Sequence, residues 1–468
     1  MKTETASSSN KWKSHNLLQL EKKHVLVLAF PFSSHPGVLL NLVVKLAHAA
    51  PNVDFSFLST QSTNQALFSN PEIPLNIRPF NISDGIPDGH VLPSDHPVER
   101  VNLFLKSSLS IFQKGIEIAV AETGHAATCV FNDAFVACAK QLAEELHVPW
   151  IPIWSPLSCA LYAHMYTGQI NEHFMDNVHN EKNTIDFISG LSSMRREDLP
   201  DAALSGSGEQ LFFKTLHEMG KDITKATALV MNFYDELNPP EFSEDIKSKF
   251  RSVLNVGFFN LSLPLPPLPP SDTDQTGCLT WLDKQSSKSV VYLSFGNVVT
   301  PPNNEILAMA DALEESGIPF LWSIKDNVKD MLPKGFLDRT STQGKLVPWA
   351  PQTQILAHKS IAVFVTHCGC NSVFESLTNG VPLICRPFFG DHGMTGRMVQ
   401  DVWKIGIIIE GRVFSKKGLL KSLNLILAQE EGKKLRENGL ALKKIVEAAA
   451  SSDGSATRDF KTLVQMIT

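Results

Sequence analysis

The sequence predicts an α/β fold of two doubly wound domains, and three observations predict it. Apolar runs of strand length alternate with segments of helical spacing over residues 24–154, the pattern of a parallel sheet covered by helices. A proline-rich stretch at 262–277 then interrupts the chain, and its prolines favour a stiff, extended linker. Beyond it the alternation begins again. A chain of 468 residues suits two or three domains with sizeable cores.

Residues 1–23 are polar and rich in Ser, Lys and Asn, and read as a disordered extension. The run His-Val-Leu-Val-Leu-Ala-Phe at 24–30 suits a strand buried on both faces. A loop at 31–37 follows, then a helix over 38–49 whose Leu39, Leu42, Val43 and Leu46 share one face. Strands are expected at 53–60 and 77–82, the second followed by a loop rich in Pro, Gly and Asp. Next come a long helix over 98–122, a strand at 128–131, a helix at 135–146 and a strand at 150–154. From 155 to 225 the pattern weakens into helices and loops, where insertions that shape a pocket have room. It resumes as a strand at 227–233.

After the linker the spacing predicts strands at 290–295 and 319–324 around a helix at 304–316, and helices at 393–403, 417–427 and 432–449. The expected division is a first domain at 24–261, a linker at 262–277, a second domain at 278–450, and a closing segment, 451–468, with a terminal helix over 455–467.

Composition narrows the function. A net charge of −6 without a Lys/Arg cluster gives no reason to expect nucleic acid. No run of about 18 apolar residues occurs, so no membrane insertion is expected. Seven cysteines without framework spacing point to free thiols, a reducing compartment and a cytoplasmic protein. Cys368 and Cys370 find no second pair for a zinc site, and no metal is expected. Asp272-Thr273-Asp274 has the spelling of a metal-binding D-x-D but lies in the linker, where solvation is expected. No G-x-S-x-G, Walker loop or H-E-x-x-H is present.

The most informative stretch is 349–392. Its run at 361–366 is apolar and β-branched, a buried strand. His367-Cys368-Gly369-Cys370 then makes a tight turn, Asn371 and Ser372 are placed to start a helix, and Gly380 ahead of Pro382 stops it. A strand feeding such a turn into a helix start leaves backbone N–H groups pointing outward in a positive dipole field, a place for phosphate. Glu375 lies one turn along from Asn371, where a carboxylate can accept both hydroxyls of a ribose. Trp349 offers a flat face to a base. Asp391 and His392 end a loop near the next strand, expected at 382–385. Together these describe a site for a nucleoside diphosphate with polar groups left over for a sugar.

This segment resembles the donor-binding signature box of plant UDP-sugar glycosyltransferases, and the chain from about 24 onward is similar to their architecture of two facing Rossmann-like domains (GT-B). The resemblance implies that the first domain holds the acceptor, the second holds UDP-galactose or UDP-glucose as co-substrate, and the last helix crosses back to the first. It also identifies a catalytic pair. His35 follows the first strand within Phe-Pro-Phe-Ser-Ser-His, and Asp133 follows the strand at 128–131 within Asn-Asp-Ala-Phe. A carboxylate on one imidazole nitrogen fixes the tautomer and supports the cation formed when the other nitrogen takes a proton. A phenol, with a pKa of about 10, gains from such a base at neutral pH.

By the same resemblance Trp349, Ala350, Gln352, His367, Gly369, Asn371, Ser372, Glu375, Asp391, His392, Asn297 and Ser155 belong to the donor site, and His164 to the acceptor, as in flavonoid 3-O-glycosyltransferases. The expected reaction is inverting transfer of a hexose to a phenolic acceptor, the 3-hydroxyl of a flavonol or anthocyanidin. A monomer without cofactor is expected to carry it out.

Three positions depart from the family pattern. Cys370 stands where Trp is usual, Asn297 replaces a common Thr or Ser, and the box ends in His392 rather than Gln. His at that place tends to accompany galactose use, which inclines the expectation slightly to galactose. Two alternatives stay open: a nucleotide-sugar-binding relative with little turnover, and a transferase for another phenolic aglycone.

Overall fold

The computed structural model describes residues 22–69, 71–92, 97–176, 184–204 and 211–468. Up to residue 21, the extension expected at 1–23 lies outside the described residues.

Two parallel sheets form the frame. The first contains β1 (His24–Leu28), β2 (Asp54–Thr60), β3 (Ile77–Ile82), β4 (Cys129–Asp133), β5 (Trp150–Trp154), β6 (Leu229–Met231) and β7 (Val253–Asn255), in the order β3-β2-β1-β4-β5-β6-β7. The second contains β8 (Val290–Ser294), β9 (Phe320–Ser323), β10 (Gly344–Val347), β11 (Ile361–Thr366), β12 (Leu383–Cys385) and β13 (Gly406–Ile408), in the order β10-β9-β8-β11-β12-β13. Every residue of β1, β4, β5, β8 and β11 is buried. Helices on both faces exclude water from these strands, which is why they read as unbroken apolar runs.

In each sheet the chain winds outward one way, then returns to the middle and winds the other way. The reversal falls between β1 and β4 in the first sheet and between β8 and β11 in the second. The loops leaving the carboxyl ends of those two strands part there and leave a crevice, the general ligand position in such sheets.

Several boundaries differ from expectation. The helix predicted at 38–49 is His35–Ala49, because Pro36 is well tolerated in a first turn. The helix expected at 393–403 begins at His392 and runs as an α-helix to Arg397, then as one π-turn over Met398–Val402. Strands β7, β10 and β13 and the short helices Gln61–Leu67 and Gln352–Ala357 were not anticipated. In the linker Asp272 is exposed and Asp274 partly so, and the Asp274 carboxylate accepts hydrogen bonds from the backbone N–H groups of Thr276 and Leu279 near the start of the helix Cys278–Leu282.

The two halves pack directly. The Phe258 ring stacks on Phe374 at 4.0 Å, and the Trp403 indole N–H donates to the carbonyl of Leu237 at 2.8 Å. Stacked aromatic pairs contribute about 0.5–1.5 kcal/mol beyond the area they bury. The last helix, Ser455–Ile467, sits on the first sheet. Leu463 and Ile467 are buried with the core of that sheet, and Asp459 accepts the β7 backbone N–H of Asn255 at 2.8 Å.

Candidate active site

His35 and Asp133 meet at the crevice of the first sheet. Asp133 is the last residue of β4, and its neighbour β1 leads through a short loop to His35, the first residue of its helix. The buried carboxylate of Asp133 accepts from His35 Nδ1 at 2.7 Å and, through its other oxygen, from the backbone N–H of Phe135 at 3.0 Å. A carboxylate only accepts, so Nδ1 carries the proton and Nε2 is left with a lone pair.

Burial lowers the basicity of this imidazole. The charge and hydrogen bond of Asp133 outweigh that effect, with help from the charge of Asp391, and the net pKa is raised above the ordinary histidine value. Asp391 follows β12 of the second sheet, and Gly393, two residues on, packs against the Asp198 backbone of the first half, so the two crevices adjoin. Phe135 and Phe30 flank the imidazole at 4.6 and 5.3 Å between ring centres. Phe212 stacks on Phe30 and makes the same wall deeper.

On the second sheet the turn after β11 is where the sequence places an anion site. The helix Cys370–Asn379 begins one residue earlier than the sequence suggested. Gly369 is its cap residue, and Asn371 and Ser372 lie in its first turn. The turn needs an unusual backbone, since Cys368 has a φ of +67°, a conformation disfavoured for any side chain. His367 fits between two glycines. A Cβ at Gly369 would lie 2.4 Å from its Nε2, and one at Gly296 would lie 3.0 Å from its Cε1. Burial pulls His367 down to about 4, partly opposed by its bond to the Ser294 backbone, so this ring is neutral at physiological pH.

Gln352, at the start of its own helix, ties this region together. Its Nε2 donates to Ser372 Oγ at 2.9 Å and to Glu375 Oε2 at 2.7 Å, and its Oε1 accepts from the Tyr292 hydroxyl at 3.2 Å. Burial pushes Glu375 up to about 7, against the lowering effect of hydrogen bonds from Gln352 and Thr353. Trp349 is 63% exposed, so its ring is open to stacking, while Ala350 beside it is buried. Asn297 is exposed in the loop after β8, and its carbonyl accepts from Lys325 Nζ at 2.7 Å.

Four buried polar atoms in this region find no partner among the described residues: Ser155 Oγ, Asp391 Oδ2, His392 Nδ1 and Thr395 Oγ1. Such atoms are costly unless a ligand completes them. The His392 ring meets His367 edge-on at 5.0 Å. Burial, with the charge of His367 adding to it, pulls His392 down to about 3. Burial, reinforced by Asp391, pushes the Cys370 thiol above its ordinary range, so it stays neutral. His164, in the helix Ser158–Met165, is buried rather than on a helix surface. Its ring packs edge-on against Trp154 at 5.9 Å, its Nδ1 finds no partner among the described residues, and burial lowers it to about 4. A separate groove of about 1000 Å³ on the outer side of the helix His35–Ala49 contains none of these residues.

Sequence reasoning missed Tyr292, Phe30, Phe135 and Thr395. Thr395 alone had a usable signal, its position three residues after His392 on one helix.

The chain matches the sequence family described as UDP-glucoronosyl and UDP-glucosyl transferase over residues 100–448. It is 48% identical to an anthocyanidin 3-O-galactosyltransferase of Rhododendron delavayi over 453 residues, 95% of this chain and 97% of that one. Identity to an anthocyanidin 3-O-glucosyltransferase of Vitis vinifera is 45% over 448 residues, again 95% and 97%. The fold superposes on the crystal structure of a UDP-glucose:anthocyanidin 3-O-glucosyltransferase in complex with UDP with a TM-score of 0.90 at 50% identity, covering 96% of this chain and 99% of that one. With its paired Rossmann-like sheets, this chain belongs to the family of UDP-glucoronosyl and UDP-glucosyl transferases, in its GT-B architecture.

Proposed function

We propose that the chain transfers a hexose from a UDP-sugar to a flavonoid 3-hydroxyl, with inversion at the anomeric carbon and His35 as general base. The observation that carries this reading is the His35–Asp133 hydrogen bond at 2.7 Å on a rim that Asp391 reaches from the other sheet. His35 Nε2 takes the phenolic proton as the oxygen attacks the anomeric carbon, and Asp133 holds the imidazolium that forms. General bases of this kind contribute about 10²–10⁴-fold to the rate. The bond from the anomeric carbon to the diphosphate breaks, and its charge passes to the N–H groups opening the helix Cys370–Asn379 and to neutral His367.

Trp349 stacks on uracil, Glu375 accepts the ribose diol, and Asp391, His392 and Ser155 face the sugar. The aromatic wall of Phe30, Phe135 and Phe212, with His164 behind Trp154, receives a planar acceptor. The division of labour follows the two sheets: residues 24–261 hold the acceptor, residues 278–450 hold the donor, and the segment at 451–468 returns to the first half. The protein is proposed to act as a monomer in the cytoplasm, where its seven cysteines stay free thiols.

Relatives that use galactose and glucose are similarly close, so donor choice needs a test. Quercetin or kaempferol is offered with UDP-galactose and UDP-glucose in parallel, and the linkage is located by NMR. The expected product carries the hexose on the 3-oxygen, with galactose somewhat preferred. His392→Gln is expected to move the galactose-to-glucose ratio towards glucose. UDP binding without any product would favour the binding-only alternative, and an unmoved ratio would remove the basis for preferring galactose.

A further inference from the structure

One ion-pair cluster joins the two halves beside the sugar-facing groups, and the mechanism does not use it. Asp198 lies in the turn Arg196–Asp198, part of the segment between β5 and β6, and its carboxylate is fully buried. It accepts from Arg397 Nε at 2.9 Å and Nη2 at 3.3 Å, and also pairs with Arg412. Arg397 ends the helix that begins with His392. At the other end of that helix a Cβ on Gly393 would lie 2.5 Å from the Asp198 carbonyl oxygen. One residue of the acceptor half therefore touches both ends of the helix whose first turn presents Asp391 and His392. The turn is rigid itself, since the backbone N–H of Arg195 donates to Asp198 Oδ2 at 2.8 Å.

We propose that Asp198 is a positioning residue for the donor sugar: through Arg397 and the Gly393 backbone it fixes Asp391 and His392 opposite His35. This rests on the assignment of Asp391 and His392 to the sugar. A buried carboxylate with a forked arginine sets distance and direction together, which a point charge cannot do. On its far side Arg397 pairs with Asp401 Oδ2 at 2.9 Å, one turn along its own helix, which orients the guanidinium but does not tie the helix to the first half.

The test compares parent chain, Asp198→Asn and Arg397→Lys by calorimetric binding of UDP and of each UDP-sugar, with thermal unfolding and donor KM in parallel. Asp198→Asn keeps the shape and removes the charge, whereas Arg397→Lys keeps the charge and removes the fork. The expected result is UDP affinity within about twofold of the parent, because Trp349, Gln352 and Glu375 do not touch the cluster, and UDP-sugar affinity weaker by about tenfold. The preference between the two sugars should narrow in both variants. Unchanged sugar affinity and preference in folded variants would overturn the proposal, as would a parallel loss of UDP affinity. If neither variant shows a folding transition, the cluster is structural and the proposal falls. A parent that binds both ligands but turns over no flavonol counts against the functional reading alone, because the binding comparison does not need turnover.

Discussion

A carboxylate that accepts two ribose hydroxyls does so only when ionised, and burial has pushed Glu375 up to about 7. Its free form is therefore half protonated near neutrality. The sign follows: the binding-competent carboxylate is present above that pKa and disappears as pH falls through it. Affinity for UDP-glucose is expected to weaken by about tenfold between pH 8 and pH 6, measured by calorimetry, and the dependence should vanish in Glu375→Gln. A flat profile in the parent would mean that Glu375 is not the ribose acceptor. At this scale the sequence was informative wherever a residue type has few uses. His35 and Asp133 were legible because Phe-Pro-Phe-Ser-Ser-His and Asn-Asp-Ala-Phe match the family's catalytic positions, whereas a lone His or Asp after a strand says little. The burial of His164 was not, since nothing local announces that Trp154 and the segment at 211–222 cover it. The orphaned hydroxyl of Thr395 depends on a cleft that only the fold creates.

The element that matters most is the turn from β11 into the helix Cys370–Asn379. Its legibility came from composition: an apolar β-branched run, a glycine turn and a terminating Gly380, which has a φ of +67°. The cap was misplaced by two or three residues because Asn371 and Ser372 favour cap positions, while Gly369 takes the cap so that His367 can fold over it. Gly369→Ala is expected to displace the His367 ring, raising the donor KM by about tenfold. The backbone φ of −60° suits alanine, so the unfolding midpoint should move by no more than about 2 °C. An unchanged KM would show that the ring position is unimportant. Strands β7 and β13 escaped notice for a plain reason. Three residues at the edge of a sheet carry too little periodicity to stand out.

For the whole molecule, two alternations and a proline-rich break were enough to predict paired doubly wound sheets. Their mutual orientation was not readable. It depends on contacts between residues far apart in the chain, such as Phe258 on Phe374 and Asp198 on Arg397, none of which has a local pattern. The orientation nevertheless bears on the proposed function, which needs the imidazole of one sheet set against a diphosphate cradle on the other. The most direct measurement pairs turnover with nucleotide binding in His35→Ala. The account predicts a fall in kcat of at least about 10³-fold, with UDP affinity within about twofold of the parent. Substantial turnover in that variant, or loss of UDP binding together with activity, would contradict it.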